Sequence, residues 1–268
     1  MLFNQTYFRS ESEYRRDIIE VCKRIYQKGF VASNDGNVSV RISKNEILAT
    51  PTGINKGDLS PDQLIKVNMR GDVIEGFLKP SSELKLHIRA YEERPDVRSV
   101  VHAHPPISTG FAVAGIALDQ MAIPEVIATL GKIPLAPYAT PSTEELAHTI
   151  DDLIGDCNAI LLANHGVVCV GPDVYSAYYT LERVEHSAYI IWVAKSLGGE
   201  KELSKDNINK LLEIRKKTEI SASYTPSDKK NDDPDNEIRI NNIEQNELIE
   251  VITRIVVESI KDNLSQLK

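Results

Sequence analysis

In Arg98-Ser99-Val100-Val101-His102-Ala103-His104-Pro105, two histidines stand two residues apart at the end of a β-branched run. Such a run suits a central strand. Side chains alternate between the faces of a strand, so His102 and His104 project to the same side. Two neutral imidazoles on one face of a rigid strand make a good first pair of ligands for zinc or a similar divalent ion. Alone, the pair is equally compatible with two histidines packed in a polar cleft. His165 is a third candidate, following the apolar run Ile160-Leu161-Leu162-Ala163 in a turn closed by Gly166. Three histidines leave a coordination position open, the pattern of catalytic rather than structural sites.

Helix and strand patterns alternate around these residues. Ile18, Ile19, Val21, Cys22, Ile25 and Tyr26 give residues 11–28 a helical stripe, with Gly29 as its stop. Residues 38–42 and 47–50 read as short strands around a turn, as do 64–67 and 73–75. Ser81 and Ser82 open a helix over 84–91, residues 159–162 and 167–170 flank Asn164-His165-Gly166, and 172–196 and 205–217 are further helices. Hairpins and helices in this order predict a layered α/β or α+β domain rather than a sandwich or a bundle. The body is expected to span 1–220. Residues 221–242, with Pro226, Pro234 and little apolar bulk, read as a linker. Residues 243–268 read as an amphipathic helix, with Leu248, Ile252, Ile255, Ile260 and Leu267 on one side and Glu250, Arg254, Glu258 and Lys261 on the other.

Composition excludes several classes. The 268 residues carry a net charge of −8, with 41% apolar and 26% charged residues, so the chain is neither globally disordered nor a basic binder of nucleic acid or membranes. Its longest apolar run, residues 188–194, is too short to span a bilayer, and no secretory leader is visible. Cys22, Cys157 and Cys169 read as thiols of a reducing compartment. A cytoplasmic protein is expected.

Glu83 opens the helix over 84–91, where a carboxylate ordinarily meets the helix dipole; the competing reading is a general acid/base beside a metal. Gly36-Asn37-Val38-Ser39, Thr50-Pro51-Thr52-Gly53 and Ser81-Ser82 offer turn N–H groups, hydroxyls and an amide that can hold a phosphate without a Walker loop. His87, His148 and His186 lie within helical patterns and are read as structural.

Together with Ala136-Pro137-Tyr138-Ala139, these motifs resemble the class II aldolase/adducin family over roughly residues 12–218, the fuculose-phosphate branch above all. The resemblance implies an α/β fold of layered α-β-α type, with a central antiparallel sheet flanked by helices, and a four-fold homotetramer. It implies zinc, or another divalent metal, on His102, His104 and His165; catalysis by Glu83; and phosphate binding by Asn37, Thr52, Gly53, Ser81 and Ser82. Glu125, in Ile123-Pro124-Glu125-Val126, stands where that branch carries a tyrosine proton donor, and Thr218 stands near its C-terminal tyrosine, with Tyr224 the nearest replacement. The implied reaction is retro-aldol cleavage of a deoxyketose 1-phosphate, L-fuculose 1-phosphate first, to dihydroxyacetone phosphate and L-lactaldehyde. The alternatives are aldolases for 5-deoxyribulose or rhamnulose 1-phosphate, or a family epimerase, dehydratase or decarboxylase; retention of the histidines and Glu83 argues against a non-enzymatic, adducin-like scaffold. The segment 243–268 looks like an encapsulation peptide, implying shell proteins of a bacterial microcompartment as partners, with docking onto the chain's own tetramer as the rival.

Overall fold

The computed structural model describes residues 9–222. The expected linker from residue 223 on and the expected helix over 243–268 lie outside the described residues. The described residues divide into two compact units, one of residues 9–119 with 133–198, the other of residues 120–132 with 199–222.

The first unit opens with α1 (Glu11–Gln27), started by a capping box: Glu13 N–H donates to Ser10 Oγ at 3.3 Å and Ser10 N–H donates to Glu13 Oε2 at 2.7 Å. Its stripe buries Ile18, Ile19, Val21, Cys22 and Ile25. Eight strands follow: β1 (Asn37–Arg41), β2 (Glu46–Ala49), β3 (Ile65–Asn68), β4 (Val73–Glu75), β5 (Ser99–Ala103), β6 (Leu135–Ala136), β7 (Ala159–Leu162) and β8 (Gly166–Gly171). They form one sheet in the order β4-β3-β2-β1-β5-β8-β7-β6. Every pair is antiparallel except β6 with β7. That exception follows from the connection, since the chain between them crosses over through α5 (Glu144–His148) and α6 (Asp151–Ile154) instead of turning in a hairpin.

Helices α2 (Leu84–Glu93), α5 and α6 share a core with one face of the sheet, which includes Val100 of β5, Ile160 and Leu162 of β7 and Val168 and Val170 of β8. On α7 (Val174–Ser196), Ala177, Leu181, Val184 and Ala188 are buried, and this helix packs on β5 and β8 and against α1 and α3 (Pro106–Val113). Helices thus cover a central, mainly antiparallel sheet. α7 starts at Val174, two residues later than the pattern implies, because the Asp173 carboxylate accepts the Ser176 N–H at 2.9 Å and caps it there.

The second unit holds α4 (Pro124–Thr129) and α8 (Lys205–Ala222), joined by a small core of Ile127, Ala128 and Leu211. α8 runs two residues past the expected start of the linker. Among the described residues, no helix is long and apolar enough to cross a membrane. Cys22 and Cys169 are buried and Cys157 half-buried, and none of the three is in a disulfide.

Candidate metal centre

β5 lies at the middle of the sheet, paired with β1 on one side and β8 on the other. In that register His102 stands opposite Asn37 and Val168, so its ring is directed to the same face as both. His104 lies just past the last paired residue, held in line by its N–H to Phe30 O at 2.9 Å. His165 occupies the tight β7–β8 connection after Asn164, whose φ of +57° is a left-handed conformation that asparagine tolerates. Gly166 is required by crowding: a Cβ there would meet His104 Cδ2 at 2.5 Å and Ala103 O at 2.6 Å.

The three histidines converge, with one ligand atom from each lying within 4.8 Å of the others. His102 Nε2 and His104 Nε2 are 3.1 Å apart. His102 Nδ1 sits 2.9 Å from Val167 O, and a carbonyl only accepts, so Nδ1 carries the hydrogen and Nε2 presents its lone pair. His104 Nδ1 faces Asp35 Oδ2 at 3.7 Å, a carboxylate that the sequence reading did not single out.

Glu83 is the N-cap residue of α2, yet its side chain makes no capping hydrogen bond. Its carboxylate turns instead to the histidines, with Oε2 at 3.3 Å from His102 Nε2 and Oε1 at 3.0 Å from His165 Nε2. Asn37 Nδ2 donates to Glu83 Oε2 at 2.8 Å and to Ser81 Oγ at 3.3 Å. Burial pulls the Glu83 carboxyl up, but its contacts with His165 and the Asn37 amide hold it below the usual carboxylate range, so it is ionised. Burial pushes His102 down to about 3, against the opposing charge of Glu83, and also lowers His104. Neutral imidazoles beside an ionised carboxylate are the donor set a divalent cation needs, and the residues present fit one.

Of the candidate phosphate residues, Asn37 and Ser81 are hydrogen-bonded next to Glu83. Thr52 N–H donates to Lys79 O at 3.0 Å and Pro51 bridges Pro80, which ties the loop of Thr52 and Gly53 to the segment leading into Ser81 and Ser82. Gly53, at φ +78°, is exposed, as are Thr52 and Ser82. Ser82 Oγ accepts from Ser142 Oγ at 2.7 Å, a contact no motif announced; Ser142 is left-handed at φ +73°. Glu125 belongs to the second unit, exposed in the first turn of α4, and its backbone carbonyl accepts from Thr129 Oγ1 at 2.5 Å. His148 and His186 sit on α5 and α7, while His87 is buried on α2.

The model of the class II aldolase and adducin N-terminal domain matches residues 16–192. A 3-oxo-tetronate 4-phosphate decarboxylase of Escherichia coli (strain K12) is 32% identical over 188 residues, covering 68% of this chain and 88% of its own. A 5-deoxy-D-ribulose 1-phosphate aldolase of Bacillus thuringiensis serovar kurstaki is 32% identical over 199 residues, 74% of this chain and 92% of its own. A solved L-fuculose 1-phosphate aldolase structure is similar with a TM-score of 0.72 at 27% identity, over 78% of this chain and 99% of that one.

Proposed function

We infer that this chain, which belongs to the class II aldolase and adducin N-terminal domain family, is a metal-dependent lyase that breaks a carbon–carbon bond beside the carbonyl of a sugar phosphate. One observation carries the reading: the Glu83 carboxylate leaves its own helix N-terminus and enters the cluster of His102, His104 and His165. Those histidines would hold the ion, with zinc the natural match to three imidazoles. Bound there, a divalent ion supplies Lewis acidity that favours the negative charge developing on the substrate's oxygens.

The remaining work falls to the chain's own groups. Asn37, Thr52, Gly53, Ser81 and Ser82 are assigned the phosphate, which orients the carbonyl end of the substrate. Glu83, ionised and fixed by the Asn37 amide, moves the proton at C3: it removes one in condensation and returns it after cleavage. Glu125 is assigned the proton on the aldehyde oxygen because it stands where the resemblance calls for a tyrosine. The first substrate is L-fuculose 1-phosphate, giving dihydroxyacetone phosphate and L-lactaldehyde, with 5-deoxyribulose 1-phosphate next.

The similarity to a 3-oxo-tetronate 4-phosphate decarboxylase favours a second reading. Loss of carbon dioxide from that substrate leaves a carbanion beside a ketone, and protonating it yields dihydroxyacetone phosphate again. Both reactions ask Glu83 to protonate the same carbon and differ in the fragment expelled. The assembly assigned is a homotetramer, docked to microcompartment shell proteins through residues 243–268; the apolar stripe in that segment of the sequence supports this.

The deciding experiment incubates zinc-loaded protein with fuculose, rhamnulose and 5-deoxyribulose 1-phosphates and with 3-oxo-tetronate 4-phosphate, following dihydroxyacetone phosphate, aldehyde and carbon dioxide. The expected result is dihydroxyacetone phosphate with a stoichiometric aldehyde. Carbon dioxide in place of aldehyde selects the decarboxylase reading, and no dihydroxyacetone phosphate from any substrate contradicts both.

A further inference from the structure

We propose that His87 is a positioning residue for Glu83, holding that carboxylate in place through a ladder of polar contacts between β1 and α2. The proposal rests on the lyase reading for what Glu83 does, though not for where it sits.

The ladder arises from two matched periods. Asn37, Ser39 and Arg41 alternate along β1 and so face one side of the sheet, while Glu83, His87 and Tyr91 recur every four residues along one face of α2. Two strand residues advance about 6.7 Å and four helix residues about 6 Å, so successive rungs stay nearly in register. The first rung is Asn37 Nδ2 to Glu83 Oε2 at 2.8 Å. In the second, Ser39 Oγ lies 2.7 Å from His87 Nδ1 and 2.7 Å from Tyr91 Oη. Arg41 closes the third, donating from Nη1 to Tyr91 O at 3.2 Å with its guanidinium 5.3 Å over the Tyr91 ring.

Glu83 needs such an anchor. It sits at the N-cap of α2 without a capping bond, and helix ends fray. One turn further in, His87 is the first residue that ties α2 to the strand from inside the helix. β1 in turn carries Asn37 directly opposite His102, so the ladder fixes Glu83 relative to a histidine of the cluster.

His87 is also a costly choice if filling space were its only task. The residue is 1% exposed, and its Nε2 is buried without a hydrogen-bond partner among the described residues. Leucine would fill the site with no orphaned nitrogen, and a buried polar group kept at such a cost points to a role other than stability.

The test compares three replacements at His87, each measured for kcat, KM, thermal midpoint and crystal structure. Leucine keeps the volume and removes both nitrogens; asparagine puts an amide near the Nδ1 position; glutamine puts it near Nε2. His87→Leu is expected to fold at least as stably as the parent but to lose about tenfold to a hundredfold in kcat at parental KM, the scale of a misplaced catalytic group. Its crystal structure is expected to lack the Asn37–Glu83 contact. His87→Asn should restore both rate and contact, and His87→Gln neither. Should the leucine variant fail to fold, Ser39→Ala removes the same rung from the strand side and should show the same kcat loss. Parental kcat with Glu83 in place, in His87→Leu or in Ser39→Ala, overturns the proposal. A parent inactive on every sugar phosphate, with Glu83 still displaced in the leucine variant, contradicts the lyase reading and supports the ladder.

Discussion

Glu83 had a conventional use available, since the free N–H groups at the start of α2 favour a negative charge. The structure directs its carboxylate to His102, His165 and Asn37 instead, the placement that the proposed proton transfer calls for. His87, one turn along, gives the residue scale a pH signature. Burial lowers its imidazole from 6.5 to about 4. Between those values the unfolded chain binds a proton that the folded one refuses, so stability falls as pH drops through that window and levels off below it. The difference amounts to at most about 3 kcal/mol. Urea unfolding at pH 7 and pH 4.5 should show His87→Leu losing less stability than the parent; equal losses would mean that another group titrates. Strand alternation was enough to read His102 and His104 as a pair, and Gly166 marked the turn holding His165. Asp35 and Ser142 were not legible, because each reaches the site through loop geometry that no local periodicity encodes.

Helix α3 shows how one element serves another. Its first turn begins Pro106-Ile107-Ser108, two residues after His104, and its free donors are met from α7. Glu185 accepts Ile107 N–H at 2.9 Å, Ser108 N–H at 2.8 Å and Ser108 Oγ–H at 2.7 Å. Glu185→Ala leaves the Ile107 and Ser108 N–H groups without this acceptor and should cost about 3 kcal/mol in urea unfolding, with weaker metal retention as His104 loses its support. A loss of only a few tenths would show that water replaces the cap at no cost. The long helices α1 and α7 and the paired strands β1, β2, β5 and β8 were legible because each runs long enough to display its period or ends at a glycine turn. α3, α4 and α6 were not, since four to eight residues span barely one or two turns and their stability comes from tertiary contacts such as the Glu185 cap; of α5 only the helical setting of His148 was read. Likewise β6 is two residues long, and its parallel pairing follows from the α5–α6 crossover and not from its own sequence.

At the scale of the molecule, the sheet order brings β1, β5 and the β7–β8 turn together, and α2 lays Glu83 over them. Asn37, Glu83, His102, His104 and His165 are far apart in sequence, and each arrives on a different segment or strand end except the β5 pair. Layered α/β architecture was legible from the alternation of helix and strand patterns; the order of the strands was not, because it is set by which faces must be buried together. The proposed mechanism requires one step whichever sugar phosphate is the substrate: Glu83 exchanges a proton at C3 of dihydroxyacetone phosphate. Zinc-loaded protein mixed with dihydroxyacetone phosphate in deuterium oxide tests it by proton NMR. The expected result is stereospecific loss of one C3 proton signal, slowed by roughly 100-fold or more in Glu83→Gln while zinc stays bound. Exchange at the parental rate in Glu83→Gln, or no exchange in the zinc-loaded parent, would contradict it.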